Sequence, residues 1–454
     1  MKTTYRLIST FLGAGMMFCS VQGHAEVVTL AQALEMSMKA DPRIKEQEQV
    51  VEQARALLEE AQGNSGLRID ANMFVGLAPA VQGGFYEGGA TSGTTPRSDG
   101  GSLHGVSDWT MLQFAVVKPL YTFGKIERYS EAAQGNIDVK RGDVRLMRTG
   151  VAYDVKRAYY GYLTARDLRA LLEHVQSQVD GAIKQIERFL KQDNGQAKQS
   201  DLYAMKAAQG MLGKYLGQAK AVEKISLNGL KVLTGVGLKG ELQVADASIE
   251  PLPLPATTLD DYQSNAMMDR PEMAQLEAGL RARRALVGAK KAEGYPDIYA
   301  GVIGVASYAS RRDKLNNPYV SDPFNMAGAT PVVGVKWNTV FDVVPARVAQ
   351  AQAELEALNY KNEFALKGIP FEVAEAYTQM HALYQAQKDL ADGAAAARRW
   401  MVSSYADFSA GLETADKVAE ALKTYATTQG EYLRTVNDYN MYVAQVARVT
   451  GSAK

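Results

Sequence analysis

The sequence predicts an α+β membrane protein of two tandem repeats, each with long coiled-coil helices and two transmembrane β-strands. Three observations predict this class. Two long proline-free stretches, 120–250 and 371–454, carry apolar residues at alternating steps of three and four. Two pairs of short runs that alternate apolar and polar residues lie outside these stretches. Both halves of the chain contain these features in the same order, which indicates a duplicated unit.

The N-terminus has the pattern of a secretory signal. A basic start precedes an apolar stretch from Leu7 to Val21, and Gly23-His24-Ala25 is a small-x-small cleavage site. We therefore expect a signal peptide over residues 1–25. Lipidation at Cys19 is the alternative, but Met16-Met17-Phe18 before it does not fit a lipidation motif. Because Cys19 is the single cysteine, the mature chain offers no thiolate nucleophile, cysteine metal ligand or disulfide.

The first repeat is predicted over residues 26–250, with strands at about 69–77 and 109–121 and long helices over about 123–235. Alternating runs of roughly ten residues match the length of a strand that crosses a bilayer. A soluble hairpin is the alternative for any single run. Aromatic residues at the run ends of both repeats predict an interfacial girdle, whose candidates are Trp109, Tyr121, Phe123, Trp337 and Phe341.

The second repeat is predicted over residues 251–454, with strands at about 298–307 and 332–341 and long helices over about 343–450. The proline-rich segment Pro251-Leu252-Pro253-Leu254-Pro255 reads as the join between the repeats. Pro370 falls inside a predicted long helix and should break or kink it.

Turn residues interrupt each helical stretch and predict two helical hairpins. The interruptions are Asp193-Asn194-Gly195 and Ser409-Ala410-Gly411-Leu412, and the returning helices have N-cap chemistry at Ser200-Asp201 and Thr414-Ala415-Asp416. Helix capping is one interpretation of the acidic residues there. The other is a ring of charge at a pore mouth, which would set ion selectivity; its candidates are Asp201, Glu413, Asp416 and Glu420.

Composition and motifs give little support to other classes. The 50 Lys and Arg residues balance 50 Asp and Glu residues, which argues against a protein that clamps nucleic acid. The four histidines are isolated in the sequence, and no nucleophile elbow, phosphate-binding loop or zinc-protease motif occurs. We expect neither enzymatic activity nor a cofactor or metal.

Several motifs together carry a family resemblance over essentially the whole mature chain. They are Leu30-Ala31-Gln32-Ala33-Leu34 with Asp41-Pro42, the Pro119-Leu120-Tyr121-Thr122-Phe123-Gly124-Lys125 junction, the two strand pairs, and the stretch from Tyr432 to Gly451. The sequence resembles the TolC family of outer-membrane efflux and secretion factors. The resemblance implies a homotrimer in which each chain gives four strands to a twelve-stranded β-barrel in lipid and long helices to a periplasmic α-barrel.

The resemblance also implies a function. It is the outer-membrane channel-tunnel component of a tripartite efflux or type I secretion system, which passively conducts substrates from an inner-membrane transporter and periplasmic adaptor across the periplasm and outer membrane. Adaptor docking is implied for the hairpin tips, at Gly195, Ala410, Gly411 and Leu412. Asp201 follows Gly195 at the family's spacing, whereas Lys417 occupies the equivalent place in the second tip. A non-conducting envelope coiled-coil scaffold or surface protein is the alternative.

Overall fold

The computed structural model describes residues 26–80, 105–192, 197–312, 319, 321–338 and 342–452. The predicted signal peptide, residues 1–25, lies outside this part of the chain. In chain order the elements are β1 (Glu26–Val28), α1 (Leu30–Ala40), α2 (Pro42–Gly63), β2 (Arg68–Pro79), β3 (Val106–Tyr121), α3 (Lys125–Gln192), α4 (Gln199–Leu233), β4 (Leu242–Val244), α5 (Leu259–Asp269), α6 (Pro271–Ala292), β5 (Asp297–Ala309), β6 (Ala327–Lys336), α7 (Val343–Ser409) and α8 (Ala415–Val449).

The same order of two helices, two strands and two helices occurs twice. Corresponding helices have 11 and 11, 22 and 22, 68 and 67, and 35 and 35 residues. The C-terminal ends of α4 and α8 also correspond. There Thr234 and Thr450 each donate a side-chain hydrogen bond of 2.8 Å to the carbonyl four residues earlier. Gly235 and Gly451 follow with φ of 78° and 74°, a conformation that favours glycine at a helix end. These matches support the predicted duplication.

Contacts between residues divide the chain into two units. The sheet unit comprises Pro42–Gly150, Ala256–Thr378 and the described residues from Val446 on. The hairpin unit comprises the described residues up to Asp41, Val151–Pro255 and Gln379–Gln445. Each unit therefore takes segments from both halves of the sequence.

The sheet unit contains a four-stranded antiparallel sheet in the order β2-β3-β5-β6. β2, β3 and β5 extend the predicted runs by a few residues. β6 is a correction, because it begins at Ala327 and ends at Lys336, whereas a strand was predicted over 332–341. Its start is set by pairing of Ala327 with Ala306 of β5, a tertiary contact that local alternation does not reveal. Pro331 lies on β6, an outer strand of the sheet within one chain.

Pro370 was predicted to break or kink the helix; α7 continues through it, so the helix does not break there, and the kink stays a prediction. A proline removes one backbone donor, and the many hydrogen bonds on either side of it in this long helix are kept. The side-chain amide of Gln263 in α5 donates to the Pro370 carbonyl at 3.1 Å. No helix in the described part of the chain has an apolar stretch suited to crossing a bilayer.

The hairpin unit confirms the two predicted helical hairpins. α3 ends at Gln192 and α4 begins at Gln199; α7 ends at Ser409 and α8 begins at Ala415. Most residues of the predicted seven-residue repeats are buried, as coiled-coil packing requires. In α8 the buried members are Ala415, Val418, Leu422, Tyr425, Val436, Tyr439 and Val446. Phe189 of α3 contacts Phe408 of α7 edge to face, with ring centroids 5.8 Å apart.

Candidate functional site: an amphipathic sheet and two hairpin turns

The strand register sorts the side chains of the sheet onto two faces, because paired residues on antiparallel strands point to the same side. One face is mostly apolar. Its members include Ile69, Ala71, Met73, Val75, Leu77, Leu112, Phe114, Val116, Val302, Ala306, Val333 and Val335. Val75 is 75% exposed and Val333 is 77% exposed within the chain. Such an exposed apolar strand face is what contact with lipid requires.

The opposite face carries most of the charged and amide side chains of the sheet, whereas Asp108 and Lys118 lie on the apolar face near its two ends. Its polar members include Arg68, Asp70, Asn72, Gln113, Asp297, Tyr299 and Lys336. A cavity of about 820 Å³ covers part of this face and is also lined by side chains of α2 and α3. At its edge, the Lys125 ammonium binds both oxygens of Asp297 at 2.6 and 2.7 Å. The sheet is therefore amphipathic, with a wet face and a lipid-compatible face.

The junction between β3 and α3 explains the Pro119–Lys125 motif. A register shift between Pro119 and Tyr121 brings Tyr121 opposite Ile298, which lies on the apolar face. Phe123 and Gly124 then have φ of 53° and 79° and turn the chain into the helix. A glycine suits the second position because residues with a side chain rarely adopt a positive φ. The backbone N–H of Lys125 closes the turn on the Thr122 carbonyl at 3.0 Å.

Three girdle candidates lie at this helical end of the sheet. Tyr121 contacts Phe123 at a centroid distance of 4.8 Å, and Phe123 stacks on Tyr295 at 5.3 Å. The Trp337 indole donates to the Gly294 carbonyl at 3.1 Å and is 55% exposed. Tyr295 was missed in the sequence, although its position just before β5 is an aromatic run end like the others. Phe341 lies outside the described residues, and the girdle as a whole stays a prediction.

Trp109 lies near the other end of the sheet and on the polar face. It pairs with Gly76 and Ala309, and its ring meets Phe324 edge to face at 5.6 Å. The Arg312 guanidinium lies over Phe324 at 4.8 Å and binds Asp322 at 2.6 Å, with side chains only 8% and 1% exposed. The register thus places Trp109 on the face opposite to the one that a lipid-facing girdle occupies. This cluster was missed because turn residues brought together by folding leave no local signal.

The turn after α7 is a Schellman motif. Gly411 has φ of 78° and donates to the Phe408 carbonyl at 2.9 Å, while Leu412 donates to the Asp407 carbonyl at 2.9 Å. Ala410 is exposed, and Leu412 is 80% exposed. The motif therefore presents an apolar side chain to solvent at the end of the second hairpin.

The acidic residues of both turns lie at helix N-termini. The Asp201 carboxylate accepts the backbone N–H of Lys198 at 2.8 Å, which caps α4. Glu413 accepts the backbone N–H of Thr414 at 3.1 Å, and Asp416 lies in the first turn of α8. Gly195 lies outside the described residues.

A hydrogen bond from the Thr414 side chain lowers the pKa of the Asp416 carboxyl below its ordinary value. Asp416 and Glu420 are exposed, and the Lys417 ammonium lies 3.7 Å from a Glu420 oxygen. In the part of the chain that the structure describes, no His, Cys, Asp and Glu side chains group as metal ligands would. The turns therefore offer exposed charge and one exposed leucine.

The fold is shared with outer-membrane channels of known structure. The chain is similar to the outer-membrane channel CmeC of Campylobacter jejuni, with 12% identity, a TM-score of 0.75, and coverage of 99% of this chain and 94% of that one. The outer membrane protein VceC of Vibrio cholerae matches with 14% identity, a TM-score of 0.72, and coverage of 93% and 96%. The MtrE outer-membrane channel of Neisseria gonorrhoeae, solved in its open state, matches with 15% identity, a TM-score of 0.69, and coverage of 93% and 88%.

Residues 263–452 match the model of the outer membrane efflux protein family. This match and the shared fold confirm the predicted family resemblance. None of the curated proteins matches the sequence.

Proposed function

We propose that this protein is the outer-membrane channel-tunnel component of a tripartite efflux or type I secretion system. It passively conducts substrates across the outer membrane and periplasm and performs no chemistry on them. The observation that carries this proposal is the exposed apolar face of the sheet, with members such as Val75 and Val333. In water this exposed apolar face would promote aggregation. In a bilayer its apolar side chains contact the lipid hydrocarbon favourably.

The working form is a homotrimer. Four strands cannot close a barrel, and β2 and β6 are the outer strands of the sheet, with no strand partner on their free sides in the described part of the chain. Unpaired strand edges are not tolerated in lipid, so a second copy of the chain has to pair with each edge. Three copies give the twelve strands that the family resemblance implies.

The partners are a periplasmic adaptor and an inner-membrane transporter, and they meet the hairpin turns. Leu412 supports this assignment, because a single exposed leucine on a rigid Schellman turn is suited to insertion into a partner's apolar pocket. Ala410 and Gly411 complete the same turn, and Gly195 is the corresponding candidate in the first hairpin. Asp201, Glu413, Asp416 and Glu420 then lie around the mouth of the tunnel, where they attract cations.

The proposal is tested by recording single-channel conductance of the detergent-extracted mature protein in a planar bilayer. The oligomeric mass is measured on the same preparation. We expect a trimer that gives discrete conductance steps. A water-soluble species that gives no steps would contradict the proposal and favour the alternative, a non-conducting envelope scaffold.

A further inference from the structure

A short segment of the chain folds over the polar face of the sheet at the end away from the helices. We call residues 322–326 the covering segment. The Ser307 hydroxyl, on the polar face of β5, donates a hydrogen bond of 2.8 Å to the Pro323 carbonyl. The Phe324 ring meets the ring of Trp109, on the polar face of β3, edge to face at 5.6 Å. The covering segment therefore contacts the polar face of two neighbouring strands.

The burial of side chains differs between the two faces at this end of the sheet. Ala78 of β2 and Ala309 of β5 point to the polar face, and each is only 1% exposed. Their neighbours Leu77 and Tyr308 point to the apolar face and are exposed. The chain thus closes over the polar face here and leaves the apolar face open to lipid.

A buried ion pair fastens the covering segment to the strand ends. The Arg312 guanidinium binds the Asp322 carboxylate at 2.6 Å and also donates to the Pro79 carbonyl, at the end of β2, at 2.9 Å. The Asn325 side-chain amide donates to the Arg312 carbonyl at 2.8 Å. Because a buried charge that loses its partner is strongly destabilising, this pair holds the segment in one position.

The covering segment lies where the proposed function puts the outer mouth of the channel. β3 and β6 run from this end of the sheet to the end where α3 and α7 begin. On the proposed function those helices extend into the periplasm, so the opposite end of the sheet faces the outside of the cell. The apolar face contacts lipid, and the polar face therefore lines the conduit.

Three copies of the segment would take up much of the cross-section at this level. Twelve strands about 4.8 Å apart and tilted by about 40° enclose a ring roughly 24 Å across between backbones. A layer of chain packed on a sheet face extends roughly 10 Å from it. Segments entering from three sides thus leave an opening only a few ångströms wide, on the order of the ring diameter less two layers.

We propose that the covering segment constricts the outer mouth of the channel and limits the size of what leaves it. The proposal rests on the proposed function, because that function makes the polar face the wall of the conduit. Phe324 and Trp109 fill the space inside the ring. Arg312 and Asp322 are positioning residues that hold the segment there.

The test measures how large a reagent can enter from outside the cell. Gln113→Cys places a thiol on the polar face of β3, deeper in the channel than Trp109, in a mature chain with no other cysteine. Intact cells are treated with maleimides joined to polymers of increasing size. We expect a small maleimide to label the thiol, whereas a polymer maleimide roughly 15 Å across, which fits the ring but not the constriction, should not.

Two variants in the Gln113→Cys background open the constriction in different ways. Arg312→Ala with Asp322→Ala removes both charges, so that neither is left buried and unpaired, and it should release the segment. Phe324→Ala removes the largest side chain of the segment and keeps the ion pair. Both should shift the size cutoff to larger maleimides, the first by more.

The matched control is Tyr308→Ala, which removes an aromatic ring at the same level of the sheet from the apolar face. Its size cutoff should equal that of Gln113→Cys alone. An unchanged cutoff in both opening variants would overturn the proposal, as would rapid labelling of the unopened protein by the large maleimide. Conductance of the purified proteins separates the two proposals. A conducting trimer with no size cutoff contradicts only the constriction, and a non-conducting protein that the small maleimide does not label contradicts the tunnel.

Discussion

Asp201 and Asp416 each occupy the first turn of a helix that follows a hairpin turn, and this position has two physical consequences. A carboxylate there accepts backbone N–H groups that have no partner within the helix and interacts favourably with the helix dipole. It is also held in place at an exposed turn, where it can act on passing ions. Capping and ion selection are therefore compatible roles for the same side chain, and the sequence alone could not choose between them.

If the acids line a cation-attracting mouth, Asp416→Asn and Asp201→Asn should each lower the cation-to-anion permeability ratio. The expected cause is the loss of one negative charge per subunit at the mouth. The ratio is measured from the reversal potential under a salt gradient. Asp438→Asn, which neutralises an exposed acid farther along α8, is the matched control. Unchanged selectivity in both variants would show that Asp201 and Asp416 act only as helix caps.

The selectivity should also depend on pH in a defined way. The folded-state pKa of Asp416 is lowered, so its charge and its contribution to stability are present above its ordinary pKa of 3.8. Both are lost only as the pH falls through the lower, folded-state value. We expect the selectivity difference between wild type and Asp416→Asn to persist at pH 3.8 and to disappear on further acidification. Its disappearance well above pH 3.8 would contradict this assignment.

Side chains alternate along each strand of the sheet, so each strand contributes residues both to the apolar face and to the polar face. On β3, Trp109 and Tyr121 are 12 positions apart, a span of about 40 Å at roughly 3.3 Å per residue. A strand tilted by about 40° then covers roughly 30 Å along the membrane normal, close to the thickness of the hydrocarbon core. The length of β3 therefore fits a bilayer, and Phe114 lies near its middle.

The same substitution, to arginine, at the neighbouring residues Ala71 and Asn72 tests which face of the sheet contacts lipid. Ala71 pairs with Phe114 on the apolar face, whereas Asn72 pairs with Gln113 on the polar face. Ala71→Arg should cost about 2–4 kcal/mol because it puts a charge into lipid at mid-depth. Asn72→Arg should be tolerated. The measurement is the yield of heat-resistant oligomer in membranes, and equal yields for the two variants would argue against a lipid-facing sheet.

At the scale of the whole molecule, the proposed function requires more than one chain. The outer strands β2 and β6 have no strand partner on their free sides in the described part of the chain, and in a bilayer another copy has to pair with them. The sequence contains no cysteine after Cys19, so introduced cysteines report on this contact without background. Oligomer closure is thus open to direct chemical test.

Thr330→Cys on β6 should cross-link to a cysteine on β2 of the next copy. Because the register between copies is not set by one chain, Asp70, Asn72 and Phe74 are each replaced by cysteine in turn. At least one pair should give a covalent trimer on non-reducing electrophoresis, since edge strands in a closed barrel are about 5 Å apart. Gln113→Cys on the inner strand β3 is the control and should give none. Absence of any cross-linked trimer would contradict barrel closure.

Local periodicity was enough to predict the class of the fold, the two hairpins and the strand pairs. Heptad spacing in 415–450 and two-residue alternation in 69–77 report directly on which face of the helix or strand each side chain lies, so these faces can be predicted without a structure. The Pro119–Lys125 motif likewise marked a real junction, because the glycine there is required by the backbone angle at that position. The family resemblance followed from the same local features.

Tertiary structure alone decided what depends on pairing. The true bounds of β6, the shift that turns Tyr121 to the apolar face and the place of Trp109 on the polar face all follow from strand register, which a single run does not encode. α7 continues through Pro370 because a long helix can lose one backbone hydrogen bond and persist. The close approach of α3 and α6, two helices that are distant in sequence, at Gly135 and Gly142 is likewise visible only in the structure. Periodicity is a property of one segment, whereas faces, registers and grooves are properties of segments in contact.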